Sequence, residues 1–338
     1  MLNSNRRLRV NEKRQFTFHG EGGELLWLFI RCMFLTGITL GIYYPWAKAR
    51  LLKFNYSNTT FGGSAFGFLG TGNEMFIGLL KGIGILILVM IPYLLGLYIG
   101  FQALLAGNTA VGIIAMVLGV VAYIALLLVV MPLAINSSLR YRFGRTTWRS
   151  IRWAYTGKNK ELLPLFIKGF LLTLVTFFIY NSWFTARYMK YIYSKLHFGS
   201  IRFRFMGEGM DLFLIGLKGM LLTIITLGIY IFWYMKNMYK WIYENLEVLQ
   251  GDKVIPLTTT ITGGGLFKLT LTNMLLLIFT LGIAAPWVNI RTMKFIMNHI
   301  AASEDLDVDA IEQTTVEETS ATGEEISDFL DLGDWGIL

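Results

Sequence analysis

A sixteen-residue pattern occurs four times in the chain and constrains its fold more than any other feature. The copies are TLGIYYPWAKARLLKF (39–54), TFFIYNSWFTARYMKY (176–191), TLGIYIFWYMKNMYKW (226–241) and TLGIAAPWVNIRTMKF (280–295). They align without gaps on a tryptophan, and seven residues later each has a lysine followed by an aromatic residue. Such self-similarity predicts structural units that pack on one another. The aligned residues are Trp46, Trp183, Trp233 and Trp287, with the lysines Lys53, Lys190, Lys240 and Lys294.

A second shared block precedes these segments. Its first glycine is Gly20, Gly70, Gly157 or Gly207. Four residues after it lies a carboxylate, and we call these residues the plus-four acids: Glu24, Glu74, Glu161 and Asp211. Eleven residues after it lies a basic residue, and these are the plus-eleven bases: Arg31, Lys81, Lys168 and Lys218. The last unit lacks the acid and has Thr272 at the basic position, and the second unit lacks the tryptophan pattern.

Short stretches of alternating residues, such as QFTFHG and SIRFRFMG, come before these glycines and predict short β-strands that end in a turn. The predicted unit is therefore a strand, a glycine turn, an apolar helix, a break at Gly-Ile-Tyr and a basic amphipathic helix. We expect an α-helical integral membrane protein with about six apolar helices, two that span fully and others that either span or are re-entrant.

Two windows carry the membrane assignment. Residues 75–101 contain one charged side chain, Lys81, and residues 110–136 contain none. About 20 apolar residues suffice to cross the hydrocarbon core of a bilayer. Only 15% of the chain is charged, compared with about 25% in ordinary soluble domains. Both windows are therefore predicted to be transmembrane helices.

The predicted organisation has three parts. Residues 1–15 form a basic cytoplasmic segment, and residues 16–302 form a membrane domain with repeats at about 16–66, 67–145, 146–200, 201–252 and 253–302. Residues 303–338 contain twelve Asp or Glu and no Lys or Arg, which predicts a disordered acidic tail.

The pattern G-x-G-x-x-E/D, followed by TLGIY-x-x-W and a basic helix, resembles the YjgN-like family of bacterial inner-membrane proteins. The resemblance extends over most of residues 16–300. It implies a multi-pass protein of the bacterial cytoplasmic (inner) membrane, and it implies no activity, because none is assigned to the domain of that family.

Basic residues mark the cytoplasmic connectors of membrane proteins. Lys and Arg number seven in residues 139–160, five in 184–210 and none in 102–109. We expect the N-terminus and the acidic tail to be cytoplasmic. Two arrangements remain open: four re-entrant tryptophan units beside two full spans, or a conventional bundle of six spans. The five arginines within 140–152 either retain this connector in the cytoplasm or contact phospholipid or nucleotide.

The plus-four acids are placed to interact favourably with a helix N-terminus. The plus-eleven bases lie about 10 Å further along the helix and allow two interpretations. Their side chains snorkel to the headgroups, or they line a polar cavity, paired with the acids, that binds an anion or a lipid headgroup. The tryptophans and lysines of the sixteen-residue pattern are predicted to sit at the interface and to contact anionic phospholipid headgroups.

Enzyme motifs are missing from the sequence. The glycine-rich turns lack the Gly-Lys-Ser/Thr of a phosphate loop, and the single cysteine, Cys32, and the three scattered histidines predict no metal site. We expect neither enzymatic activity nor a cofactor nor nucleic-acid binding. Two functions remain: a transporter or channel-like protein that moves an unknown small solute through a cavity rimmed by the plus-eleven bases, or a lipid-interacting scaffold or regulator.

Overall fold

The structure is a computed structural model, and it describes residues 15–303 and 305–311. Strands and helices alternate in a regular order in this part of the chain. The strands are β1 (Phe16–Phe18), β2 (Thr59–Phe61), β3 (Ser64–Phe68), β4 (Thr146–Trp148), β5 (Ile151–Tyr155), β6 (Leu196–Phe198), β7 (Ile201–Phe205), β8 (Leu246–Gln250), β9 (Lys253–Thr259) and β10 (Ile300–Ala302). The helices are α1 (Gly22–Ile38), α2 (Tyr44–Ser57), α3 (Gly72–Leu105), α4 (Thr109–Gly144), α5 (Asn159–Val175), α6 (Asn181–Ser194), α7 (Gly209–Ile225), α8 (Ile231–Glu244), α9 (Gly263–Phe279) and α10 (Ala285–Met297).

Each unit of the described chain consists of a strand, two consecutive helices and a second strand, and this order occurs five times. In four units the first helix has 17 residues, which is about 25 Å, and the second has 13 or 14. The remaining unit has helices of 34 and 36 residues, each about 50 Å long. β-Hairpins connect successive units.

A threonine closes the turn between the two helices of each short pair. Thr226 Oγ1 donates to the carbonyl of Leu222 at 2.7 Å and accepts from the backbone N–H of Tyr230 at 2.9 Å. It therefore links the two helices, and it satisfies the N–H of Tyr230 at the start of the second helix. The next two residues, Leu227 and Gly228, have φ angles of +49° and +95°, which reverses the chain. Thr39, Thr176 and Thr280 make the same two bonds.

The ten strands form one antiparallel sheet in which each strand pairs with the next along the chain. A further antiparallel bridge joins Gln15 to Ala301 in β10, so the first and last strands meet and the sheet closes into a ring. Side chains alternate across it: Ile201 and Phe205 are buried, whereas Arg202 and Arg204 between them are exposed. The apolar faces enclose a core that contains Trp148 (1% exposed) and Ile255 (0%).

The predicted fold class, an α-helical protein with about six apolar helices, was wrong. The short strands join into a ten-stranded sheet that organises the whole chain. Two helices, α3 and α4, are long and apolar enough to cross a membrane, and α9 is a shorter apolar helix. The physical reason is the threonine turn, Thr-Leu-Gly in three units and Thr-Phe-Phe in the third. It ends the other apolar runs after about 25 Å, short of a hydrocarbon core of about 30 Å.

The second unit contains a degenerate counterpart of the sixteen-residue pattern, without the tryptophan and the lysine. The end of α4 precedes β4 by the same interval as the end of α2 precedes β2. With this alignment, Pro132 corresponds to Pro45, Leu133 to Trp46 and Arg140 to Lys53. Replacement of the tryptophan by leucine, inside a helix that continues without a turn, hides this copy.

Glycines allow the backbones of α3 and α4 to come into contact. A Cβ atom on Gly96 would lie 2.7 Å from the carbonyl oxygen of Ala115 and 2.7 Å from the Cα of Gly119. A Cβ on Gly100 would lie 2.8 Å from the carbonyl oxygen of Gly112. Small residues that permit such close approach hold helix pairs together in membranes.

We predict that Gly96→Ala destabilises the protein by about 1–3 kcal/mol, because the added methyl group overlaps backbone atoms that cannot rotate away. Gly84→Ala in the same helix is the matched control, since nothing lies within 4 Å of a Cβ at that position. Thermal unfolding of both variants in detergent, followed by loss of monodisperse protein, measures the difference. Equal melting temperatures would contradict the close helix contact.

Candidate functional site

The tryptophans of the sixteen-residue pattern form the joints between neighbouring units. Each indole ring packs on a glycine in the first turn of the next unit's first helix, where a Cβ would lie 2.2–2.7 Å from the nearest atom of the tryptophan. The pairs are Trp46 with Gly72, Trp183 with Gly209, Trp233 with Gly263, and Trp287 with Gly22. The last pair joins the fifth unit to the first, so the helices close into a ring as the strands do.

The joint between the second and third units is built differently. Leu133 stands at the tryptophan position, and Asn159 stands at the position of the glycine. Asn136 donates to Asn159 Oδ1 at 2.7 Å and to the carbonyl of Gly157 at 3.2 Å. Arg140 donates to the same carbonyl at 3.1 Å. At this joint leucine is smaller than the tryptophan of the other joints, and asparagine is larger than their glycine. Hydrogen bonds therefore replace the contact between indole and glycine.

A pocket of about 210 Å³ lies at the joint between the third and fourth units. It is lined by Trp183, Ala186, Arg187, Lys190, Glu208, Gly209 and Met210. Arg187 donates to the hydroxyl of Tyr180 at 2.6 Å, and the Tyr180 ring stacks on Trp183 with centroids 6.2 Å apart. The pocket thus combines two cations, one carboxylate and the N-terminus of α7.

The plus-four acids occupy the first turns of α1, α3, α5 and α7. Glu74 forms a capping box with Thr71, accepts from Tyr141 at 3.1 Å and pairs with Arg145 at 2.8 Å. Glu161 pairs with Lys195 at 2.7 Å. Arg145 and Lys195 both directly follow the second helix of the same unit. Among the described residues, these two acids therefore connect the two ends of a helix pair. Glu24 and Asp211 are exposed.

The plus-eleven bases lie near the middle of the first helix of each pair, where Arg31, Lys168 and Lys218 are exposed and Lys81 is half-buried. At the corresponding position of the fifth unit, Thr272 accepts a hydrogen bond from Arg291 of the second helix at 2.9 Å. This position therefore faces the residue four places after the tryptophan. The structure distributes the bases over successive helix pairs around the ring, and the predicted ligand cavity stays a prediction.

The lysines of the pattern lie toward the C-terminal ends of the second helices, near the strands that follow. Lys53, Lys190 and Lys240 are exposed and Lys294 is half-buried. In the third unit the next residue, Tyr191, donates to the carbonyl of Lys158 at 3.0 Å and accepts from the Lys158 N–H at 2.9 Å. Burial raises the pKa of Tyr191 to about 12, so the phenol remains protonated and keeps both bonds. Headgroup contact by these lysines stays a prediction.

A second, partly open pocket lies inside the sheet ring. Its volume is about 80 Å³. Its lining consists of apolar side chains, among them Phe66, Trp153 and Phe203 from the sheet and Leu306 and Ile311 from the segment after β10. No basic residue of the sixteen-residue pattern and no plus-eleven base lines it.

Comparison with known proteins gives a family and no activity. A profile described as "Bacterial protein of unknown function (DUF898)" matches residues 13–218, 200–254 and 249–329. "Inner membrane protein YjgN" of Salmonella typhimurium is 29% identical over 171 residues, which are 49% of this chain and 40% of that protein. The Escherichia coli K12 protein of the same name is 37% identical over 65 residues, 19% of this chain and 16% of that protein. The chain thus spans less than half the length of these curated relatives. No solved structure matches.

We predict that Gly209→Ala destabilises the protein by about 1–3 kcal/mol, because the methyl group would lie 2.6 Å from the Trp183 Cα. Gly216→Ala in the same helix is the control, since nothing lies within 4 Å of a Cβ there. Alanine favours a helix over glycine by about 1 kcal/mol, so the control variant is expected to be equally stable or more stable. Chemical unfolding in mixed micelles measures both, and a stable Gly209→Ala variant would refute the joint.

Proposed function

The chain belongs to the DUF898 family of bacterial proteins of unknown function, and from this premise we propose that it is a non-catalytic, lipid-interacting scaffold of the inner membrane. Its relatives are named inner membrane proteins. The observation that carries the proposal is the distribution of side chains: apolar residues are exposed at the helix turns, and cations are repeated on successive units around the ring.

The turns of the short helix pairs expose large apolar side chains. Leu40 and Leu227 are each 94% exposed, and Leu281 is 92% exposed. The third unit presents Phe177 at 88%. Exposed apolar area on this scale marks a surface that contacts protein or membrane. Together with the two long apolar helices, these turns support the proposal that the helices are embedded in a lipid bilayer.

Charge supports an orientation. Basic residues are frequent where the strands and the β-hairpin turns lie, as at Arg145, Arg149 and Arg202, whereas the α3–α4 connector at 106–108 has none. The positive-inside rule then puts the sheet ring in the cytoplasm and the α3–α4 connector outside. The 17-residue first helices favour re-entrant units over six full spans, because they are too short to cross without distorting the bilayer.

We favour the scaffold over the transporter because the repeated cations are distributed over successive units around the ring. The plus-eleven bases lie on separate helix pairs, and the pocket inside the sheet ring is apolar. Exposed lysines on successive units, in contrast, suit a protein that contacts many anionic headgroups around its circumference.

We predict the following accessibilities for single cysteines in a Cys32→Ala background. A cysteine at Asn108 reacts with an impermeant maleimide from outside, one at Asp252 reacts only in inverted vesicles, and one at Leu227 reacts from neither side because it lies in hydrocarbon. The β8–β9 turn at Asp252 and the α3–α4 connector at Asn108 serve as mutual controls. Labelling of the Leu227 position from outside would establish a full span and contradict the re-entrant units.

We also predict that Lys53→Gln, Lys190→Gln and Lys240→Gln together lower the affinity for phosphatidylglycerol by about tenfold or more, since a basic residue near an anionic surface contributes about 1 kcal/mol. The control removes three exposed lysines outside the pattern: Lys160→Gln, Lys253→Gln and Lys268→Gln. Native mass spectrometry of protein from phosphatidylglycerol nanodiscs measures bound lipid. An equal loss in the control would show that net charge alone is responsible and would remove the pattern's role.

A further inference from the structure

We propose that the interior of the sheet ring is a binding site for the alkyl chain of a long-chain fatty acid, with Arg149 as the partner of its carboxylate. We further propose that the segment after β10 closes this site. That segment consists of Ser303 and residues 305–311, and we call it the C-terminal lid. The proposal is independent of the scaffold function, because it concerns the ring interior and not the membrane surface.

The C-terminal lid crosses the end of the ring formed by the β-hairpin turns. The side-chain amide of Gln250, at the β8–β9 turn, makes two hydrogen bonds to the backbone of Asp307, at 2.7 and 3.0 Å. On another turn of the ring, β4–β5, Arg149 pairs with Asp309 at 2.7 Å. The lid therefore joins two separate turns across the mouth of the ring.

Acidic and apolar residues alternate along the lid. Asp305, Asp307 and Asp309 are exposed, whereas Leu306 (4% exposed) and Ile311 (8%) are buried in the ring core. The two buried side chains line the apolar space of about 80 Å³. Leu306 and Ile311 fill part of the apolar interior that an alkyl chain would occupy, so we expect the chain to enter when the lid leaves.

Arg149 is positioned by contacts that do not need the lid. Its guanidinium donates to Ser64 Oγ at 2.9 Å and to the carbonyl of Gly62 at 3.1 Å, and it stacks 4.6 Å from the centroid of Trp148. Trp148 in turn lines the apolar space. The Arg149 guanidinium is thus fixed at the mouth of the apolar pocket, where it forms an ion pair with the carboxylate of Asp309.

Arg149 lies at a hairpin-turn position that glycine occupies in the other hairpins. Arg149 and Ser150 have φ angles of +48° and +67°, whereas the corresponding turns of the other hairpins use Gly62, Gly199 and Gly251 at positive φ. Side chains disfavour this region, so Arg149 costs conformational energy here, as Phe178 and Leu227 do in the helix turns. A glycine would relieve the strain and would remove the guanidinium from the mouth.

The lid therefore imitates the ligand that we propose. Asp309 supplies a carboxylate to Arg149, and Leu306 and Ile311 supply aliphatic groups to the core. A fatty acid offers the same two features in one molecule: a carboxylate and a flexible hydrocarbon chain. It would compete with the lid for both contacts, and the apparent affinity is reduced by the fraction of time that the lid is closed.

The experiment uses the full chain in phosphatidylcholine nanodiscs and a palmitate probe that carries a diazirine near the end of its chain. After irradiation, peptide mass spectrometry locates the crosslinks. The pair Leu306→Asp and Ile311→Asp releases the lid and leaves the ring walls unchanged. Ala310→Asp is the control, because it adds charge to an exposed lid residue. We expect a several-fold increase in crosslinks to residues 148–153 and 203 with the released lid and none with the control.

Arg149→Met in the released-lid background tests the headgroup. It should reduce crosslinking by the acid and leave that of the methyl ester probe unchanged. If the released-lid variant fails to fold, the wild-type protein provides a second test. Palmitate should displace the lid and so accelerate amide hydrogen exchange in residues 305–311. Unchanged exchange in the wild type, or crosslinks confined to the long helices α3 and α4 in every variant, would overturn the proposal.

Discussion

The contact between an indole ring and a glycine at the start of the next helix is the interaction on which the architecture depends. No unit buries its strands or its helix faces alone, because each consists of two short strands and one helix pair. Trp46, Trp183 and Trp233 fix the angle at which successive units meet, since a side chain at the glycine would push them apart. The same contact between Trp287 and Gly22 joins the last unit to the first and closes the ring. Closure also removes the free sheet edges that a linear array would leave.

Much of the local structure could be predicted from the sequence, and the global arrangement could not. The Thr-Leu-Gly turns and the strands before the glycines have clear local signals, and helix ends and strands do lie there. The return strands β2, β4 and β6 have three residues each, TTF, TTW and LHF, which is too short for any period to show. Without them, the ten-stranded sheet and its closure by Gln15 and Ala301 are invisible, and the helices alone suggested an α-helical fold.

The candidate site shows the same limit at the level of single residues. Spacing along one helix suggested that a plus-four acid faces the base seven residues later. The structure brings Glu74 to Arg145, which is 71 residues away, because the second helix of a pair ends where the first begins. The role of the tryptophans was hidden for a similar reason: their partners are glycines, which have no side chain to signal a contact. A joint between leucine and asparagine in place of tryptophan and glycine could be recognised only after the helix ends were aligned.

Differences among the five units are more informative about function than their shared residues. The shared tryptophans, glycines and threonines build the ring, and any closed array of this kind needs them. Arg149 breaks the rule, because it holds a left-handed position that glycine holds in the corresponding turns, and it meets the lid there. The long α3–α4 pair breaks it too, since it replaces a tight turn by additional helix, about 25 Å in α3 and about 33 Å in α4. Both exceptions lie in the second unit and its hairpin to the third. We therefore propose that this part of the ring has the specific tasks inferred above, one in the bilayer and one at the mouth of the sheet.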